Sequence, residues 1–376
     1  MTNYRFARPG EEEEILDLIN ATFSQKARPH DFARLLPKVY AHPGFTPFHA
    51  VAEVDGRLRG AAAMLPMTLQ MGAGHAPLRL GYIGSVAVHP RFQGRGHMRA
   101  MMEMQEKRAR ELGYDFMALG GQRQRYNYYG FEKAGLGLTF SITAANVRHA
   151  LKDAAPAALE PLTGEDHPAL PALFALYEAQ PSRCLRRRER FYDTLRTYNG
   201  APWLIRDGSG NPAGYLVAMD DTITELVLKD EALLPAVIAA WMRDRNKCAV
   251  KCPGWHLERA AALNAFAEDC GVHDYQMLRV LNWENTLDAA LAFRNQIAPL
   301  PEGRRVIRVE GNGAWALEVK DGNTAVRPAD GAPGLCLEEK RAAALFFSPL
   351  SLLSVREALL RAWLPLPLDI PVPDQF

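Results

Sequence analysis

The residues with the clearest chemical potential are Arg91, Gly94, Arg95 and Gly96. They sit in the run Arg91-Phe92-Gln93-Gly94-Arg95-Gly96, between an apolar segment ending at Val88 and a helix-patterned segment opening at His97. Glycine lets the backbone take left-handed angles and lets a ligand approach the main chain closely. The first amides of a helix have no partner inside it and turn toward any anion at its N-terminus. The turn therefore suits a pyrophosphate, gripped by amides around Gly94, Gly96, His97 and Met98, with Arg91 and Arg95 adding positive charge. A dinucleotide fingerprint would need a third glycine where Arg99 stands, and a P-loop would need Gly-Lys-Ser/Thr, which the chain lacks.

Two further groups can handle protons. Tyr126 lies four residues before Gly130-Phe131. A phenol with a reference pKa of about 10 still carries its proton at neutral pH and can protonate a departing thiolate. Its neighbours Tyr128 and Tyr129 read as residues that pack a ring and bond a hydroxyl. At the far end, Leu364 to Phe376 is a proline-stiffened segment closing on an aromatic residue. Prolines lower the entropy lost on docking, so a docked tail would fix its terminal carboxylate in space; a frayed terminus is the other reading.

These residues resemble a known superfamily. Val86-Ala87-Val88-His89-Pro90 followed by Arg-x-x-Gly-x-Gly is similar to the coenzyme A signature of the GNAT superfamily of N-acetyltransferases, and Tyr-x-x-x-Gly-Phe is an ending common there. The resemblance implies acetyl-CoA as cosubstrate, with its thioester arm between splayed fourth and fifth strands. It places Val86, Ala87 and Val88 along that arm, Val86 and Val88 by backbone bonds. Over nearly all its length the chain resembles the enhanced intracellular survival (Eis) family. That implies a GNAT unit at 1–145, a second, cofactor-less GNAT-like unit at 146–282, and a sterol-carrier-like unit at 283–376. It further implies Tyr126 as general acid, the Phe376 carboxylate as general base, and a homo-oligomer such as a hexamer. Its acceptors would be amines: aminoglycosides, polyamines, or lysine side chains and peptides.

The elements that must position these groups are legible in outline. Tyr4 to Ala7 is a strand candidate, and Ile15, Leu18, Ile19 and Phe23 share one face of a helix whose N-terminus the acidic run Glu11 to Glu14 suits. A second helical stretch covers Phe32 to Tyr40. Asp55-Gly56 joins strands His49 to Val54 and Leu58 to Leu65, and Gly72-Ala73-Gly74 joins Met67 to Met71 with Leu78 to Val88. Met98, Met101, Met102, Ala109 and Leu112 form the core face of the next helix, and Asp115 to Leu119 is a strand. In the middle segment, strands Trp203 to Arg206, Gly214 to Met219 and Ile223 to Leu228 lead into a helix from Leu233. There Lys229-Asp230-Glu231 replaces the glycine turn, and its carboxylates would repel a pyrophosphate. The last segment has a helix near Leu287 to Phe293 and strands Arg305 to Val309 and Trp315 to Lys320. The fold class expected is α+β: two tandem GNAT-like units, each a mixed sheet flanked by helices, then the sterol-carrier-like unit.

Composition narrows the partners. The chain has 376 residues, long enough for two or three domains, with 44 Lys plus Arg against 43 Asp plus Glu. That balance gives no reason to expect nucleic acid or an anionic membrane. Five cysteines without a framework read as reduced thiols, Cys248 and Cys252 make a poor zinc knuckle, and no metal is expected. With no secretion signal or spanning segment recognised, the expected location is the cytoplasm. Arg186-Arg187-Arg188, followed at once by Glu189, reads as a solvated helix face. The main reading is an N-acetyltransferase. The alternative is a non-catalytic acyl-CoA or lipid-binding protein, with Leu345 to Leu353 lining a lipid tunnel.

Overall fold

The computed structural model describes residues 1–25, 29–154, 157–331 and 333–376. The first part of the chain forms strands β1 (Thr2–Phe6), β2 (His49–Val54), β3 (Arg57–Met71), β4 (Leu78–Val88), β5 (Phe116–Leu119), β6 (Glu132–Ala134) and β7 (Gly137–Thr143). Next come β8 (Ala158–Pro161), β9 (Ser182–Cys184), β10 (Ala201–Arg206), β11 (Pro212–Met219), β12 (Thr222–Leu228), β13 (Lys247–Pro253), β14 (Asp269–His273) and β15 (Gln276–Val280). The last are β16 (Gly303–Val309), β17 (Gly313–Lys320), β18 (Asn323–Pro328) and β19 (Leu335–Leu337). They make three sheets, ordered β1-β2-β3-β4-β5-β15-β6 with β9 on β3, β14-β7-β13-β12-β11-β10-β8, and β18-β17-β16-β19. The fold is α+β with mixed sheets.

The division expected at 145 does not follow the sheets. β7 lies before it yet pairs with β13 and β14 in the second sheet, while β15 lies within 146–282 and returns to pair with β5 and β6 in the first. Gly135 allows the departure: its φ of 90° is a left-handed angle that turns the chain out of β6. The two sheets are thus tied by exchanged strands.

β3 is one strand of 15 residues rather than the expected pair broken near Pro66. Pro66 stands opposite Gly81 of β4, at a point where β2 has ended at Ala63 and β9 has not begun at Leu69. A missing N–H costs nothing on an unpaired side, so the proline passes through the strand. The helical stretch at Phe32 to Tyr40 is two short helices, Phe32–Leu35 and Pro37–Tyr40. The long helices fall as expected at Glu12–Ser24 and His97–Glu111, and Glu11 also ion-pairs with Arg5.

Two apolar clusters sandwich the first sheet. One holds Ile15, Ile19, Tyr82 and the tail residues Leu364, Leu366, Leu368, Ile370 and Phe376; the other holds Ile83, Met102, Leu119 and Tyr126. Adjacent strand residues point to opposite faces, so Tyr82 and Ile83 mark the two sides of β4. The segment proposed for a lipid tunnel divides between core and surface: Phe346 and Phe347 are fully buried, whereas Leu350, Leu352 and Leu353 face outward. No helix among the described residues is long and apolar enough to cross a membrane.

Candidate active site

Beyond Val88 the chain makes a short 3-10 turn, Pro90–Phe92, and then meets two glycines in left-handed conformation, with φ of 76° at Gly94 and 82° at Gly96. A Cβ at either would touch nothing within 4 Å, so backbone conformation, not crowding, selects glycine here, and the space above is open. Gly96 caps the His97–Glu111 helix without any side-chain bond to its amides, which leaves the first N–H groups unpaired. Arg91 and Arg95 are exposed beside it, Arg95 with its guanidinium 5.0 Å from the Phe92 ring centroid. The His97 side chain turns inward and bonds the Tyr4 hydroxyl at 2.9 Å, leaving only its backbone for a ligand. Burial and the neighbouring Arg95 hold its imidazole pKa below the usual value. Met98 packs partly against the Tyr126 cluster.

β4 and β5 run parallel from Leu80↔Phe116 to Ile83↔Leu119 and then part, because β5 ends while β4 continues to Val88. A bulge sits at the parting: β3 advances from Ala61 to Ala63 while β4 advances from Ala87 back to Gly84, with Ser85 at a φ of 49°. Past the bulge, His89 N–H donates to Arg59 O, so by alternation Ala87 faces β3 and Val88 turns its backbone to the unpaired edge. Val86 lies on the bulge along the same open stretch. Ala87 pairs with Ala61, and its side chain is buried.

Tyr126 approaches from one face. It ends the short helix Arg123–Tyr126, which is pinned by a bidentate Arg123–Glu132 pair with both bonds at 2.6 Å and by Asn127 donating to Glu132. Its ring lies over Gly121, where a Cβ would stand 2.6 Å from Cε2. The hydroxyl makes no hydrogen bond to described residues and is not among the buried unpartnered polar atoms, so it opens to solvent. Burial of the ring raises the phenol pKa, partly opposed by Arg125, so it stays protonated at neutral pH. Tyr128 does not pack as expected: it is 82% exposed. Tyr129 is half-buried against the same cluster.

Phe376 approaches from the other face, and the tail is docked, not frayed. A Cβ on Gly84 would stand 2.8 Å from the carbonyl carbon and oxygen of Phe376, so glycine is required for the Phe376 backbone to lie on β4 where the strands part. The Phe376 ring packs 6.0 Å from that of Tyr40. The Tyr40 hydroxyl is bonded to Ser85 Oγ at 2.8 Å and to His49 Nε2 at 3.0 Å, and His49 Nδ1 bonds Phe45 O. Burial pushes the His49 pKa down to about 4, so the imidazole is a neutral link in this chain rather than a cation. No motif in the sequence marks Tyr40, His49 or Ser85.

Two cations hold the tail. Lys38 Nζ donates to Pro373 O at 2.6 Å and Gln375 O at 2.7 Å. Arg186, 2% exposed, bonds Asp374 at 2.7 Å and Glu225 at 2.6 Å while its guanidinium lies 3.8 Å from the Tyr177 ring centroid. The expected solvated helix face at Arg186-Arg187-Arg188 is therefore corrected: Arg186 is buried, because two carboxylates 39 and 188 residues away converge on it. Burial lowers the Lys38 pKa to about 7 against the pull of Asp374. The unfolded chain then binds the extra proton between about pH 7 and 10.5, so stability contributed here rises with pH across that window. Lys38→Met is expected to remove this rise in stability between pH 7 and 9.5, read by denaturant titrations at the two pH values.

In the second sheet, β12 and β13 pair in parallel only at Thr222↔Ala249 and Ile223↔Val250. The loop that follows is closed by its own acids: Asp230 caps Ala232 N–H, and Glu231 ion-pairs with Arg259. Burial alone would raise the Glu231 pKa, but bonds from His256 and Arg259 take it down to about 2. Cys248 and Cys252 are separate buried thiols, and no group of three or more potential metal ligands occurs among the described residues.

Residues 3–134 match the model of an acetyltransferase (GNAT) domain. No curated protein matches the chain. Solved structures are similar over its whole length. A GCN5-related N-acetyltransferase from Kribbella flavida is 18% identical, covering 100% of this chain and 98% of its own, with a TM-score of 0.70. Another from Anabaena variabilis is 21% identical, with full coverage of both chains and a TM-score of 0.69. Eis1 from Mycobacterium abscessus is 17% identical, again with full coverage of both, at 0.66. At these identities the likeness is one of fold.

Proposed function

We propose that this chain is an acetyl-CoA-dependent N-acetyltransferase that moves the acetyl group to a primary amine by direct attack. The observation that supports the reading is the Phe376 main-chain carbonyl lying on Gly84, where β4 parts from β5, with Tyr126 on the opposite face of the strand. The open glycine turn and the amides of Gly94, Gly96, His97 and Met98 take the diphosphate, with Arg91 and Arg95 at its rim. Val88, and Val86 beside it, bond the amide-bearing arm as a neighbouring strand would. The amine nitrogen forms its bond to the acetyl carbon as the carbon–sulfur bond breaks. Tyr126 protonates the departing thiolate, and the Phe376 carboxylate takes the amine proton, directly or through water.

The same reading makes the second sheet a cofactor-less acetyltransferase-like unit, since Asp230 and Glu231 fill its loop. The chain from 283 is sterol-carrier-like and serves to deliver the tail, in a cytoplasmic homo-oligomer of the Eis type. Tyr126→Phe tests the chemistry. It is expected to lower kcat by about 10²-fold or more while acetyl-CoA affinity, read by calorimetry, stays within twofold. Cofactor binding with no thiol release on any amine would instead identify an acyl-CoA sensor.

A further inference from the structure

The arginine cluster is only partly used by the tail. Arg186 is consumed by Asp374 and Glu225, but Arg187 and Arg190 line a cleft of about 240 Å³ between the His42–Phe48 segment and the chain leaving β9. Its wall also carries Lys38, Leu65, Met67 and Asp374. This cleft adjoins the site: Lys38 holds the carbonyl next to Phe376, and Leu65 and Met67 pair with Tyr82 and Leu80 of β4. Its volume lies just below the roughly 300–1,000 Å³ of pockets for drug-sized ligands, which suits a small acceptor.

The charge of the cleft lining is mainly positive. Among the described lining residues Asp374 is the sole carboxylate, and Arg186 already engages it. His42 is bonded to Asp193, a carboxylate that also feels the charge of Arg190 without hydrogen-bonding it. Arg187 is exposed, and among the described residues its guanidinium makes no hydrogen bond or ion pair, while Arg190 Nη1 is buried without a hydrogen-bond partner. A buried donor on a cation that finds no acceptor is costly unless a ligand supplies one. Fixed positive charge repels a polycation, and it lowers the pKa of an amine nearby, favouring the neutral form that can attack.

We infer that the acceptor is a small amine carrying its own anionic group, a carboxylate or phosphate, which Arg187 and Arg190 bind while the amine faces Phe376. This rests on the acetyltransferase reading, and the test separates the two. Acetyl transfer is measured on O-phosphoethanolamine and γ-aminobutyrate, each against ethanolamine and cadaverine, for the full chain and for Arg187→Ala, Arg190→Ala and Arg190→Glu. The expected result is a kcat/KM at least about tenfold higher for one anionic amine, the better of the two identifying phosphate or carboxylate. That ratio should collapse in both alanine variants and invert in Arg190→Glu. Because it is a ratio within one preparation, partial unfolding of a variant does not produce it, and the exposed Arg187 can be replaced without disturbing packing. Preference for cadaverine, or a ratio unchanged in the variants, overturns the inference. If no amine is acetylated although acetyl-CoA binds, the acetyltransferase reading falls instead. Calorimetric titration with O-phosphoethanolamine and γ-aminobutyrate then decides the anion site: binding lost in Arg190→Ala supports it, and no binding of either overturns it.

Discussion

Removing Phe376 is expected to lower kcat by about 10²- to 10⁴-fold, the span over which a positioned base contributes. The new terminus would be Gln375, whose carbonyl oxygen lies 2.7 Å from Lys38 Nζ. Its carboxylate would pair with that ammonium instead of reaching Gly84, so it cannot replace the lost group. The ring and the carboxyl group can be separated. Phe376→Leu keeps the carboxylate and much of the buried surface, and should retain activity within about tenfold, the cost of an imperfect anchor. Appending one glycine after Phe376 keeps the ring but turns the group on Gly84 into an amide, and should be as damaging as the deletion. Gly84→Ala should behave similarly, since its Cβ would meet the Phe376 carboxyl carbon at 2.8 Å. Steady-state rates at saturating acetyl-CoA distinguish these variants, and full activity in the glycine-extended protein would remove Phe376 from the mechanism.

Arg186→Met is expected to be the most destabilising single change on the tail side, by about 3–5 kcal/mol. The guanidinium is buried between Glu225 and Asp374, both themselves buried, and stacks on Tyr177. Without it two carboxylates face each other out of water, one on β12 and one on the tail, and their repulsion pushes the tail off. The loss of stability should appear in denaturant titration. Release of the tail should appear as rapid carboxypeptidase trimming of a chain end that resists it in the parent protein. Adding Glu225→Gln and Asp374→Asn should recover much of the stability, because neutral amides have no charge to leave unpaired. If Arg186→Met unfolds at the same denaturant concentration as the parent, the three-residue network does not hold the tail.

The readable part of this protein is local in sequence. Gly94 and Gly96 declare a turn because only their backbone can take the angles, and Asp55-Gly56 declares a hairpin for the same reason. His97 to Glu111 shows its apolar face at helical spacing. What could not be read is what the chain brings together from afar. Arg186 looks like one of three solvated arginines until β12 and the tail supply carboxylates from 39 and 188 residues on. Lys38 meets carbonyls more than 330 residues away. Tyr40, His49 and Ser85 form their hydrogen-bonded chain only once three separate elements pack. The exchange of β7 and β15 between sheets was equally invisible, since each strand has an ordinary apolar pattern and nothing in it names its partner. Pro66 misled in the opposite direction, suggesting a break where the strand has a free side.

The most direct measurement is a crystal structure of the protein with acetyl-CoA. The diphosphate is expected on the amides from Gly94 to Met98 and the pantetheine amides along Val86 and Val88. The thioester carbonyl carbon should lie beside the bulge at Ser85, with its sulfur within hydrogen-bonding reach of the Tyr126 hydroxyl and the Phe376 carboxylate open to the acceptor side. A cofactor bound elsewhere, or bound in this groove with its sulfur turned away from Tyr126 and Phe376 displaced from Gly84, would contradict the account.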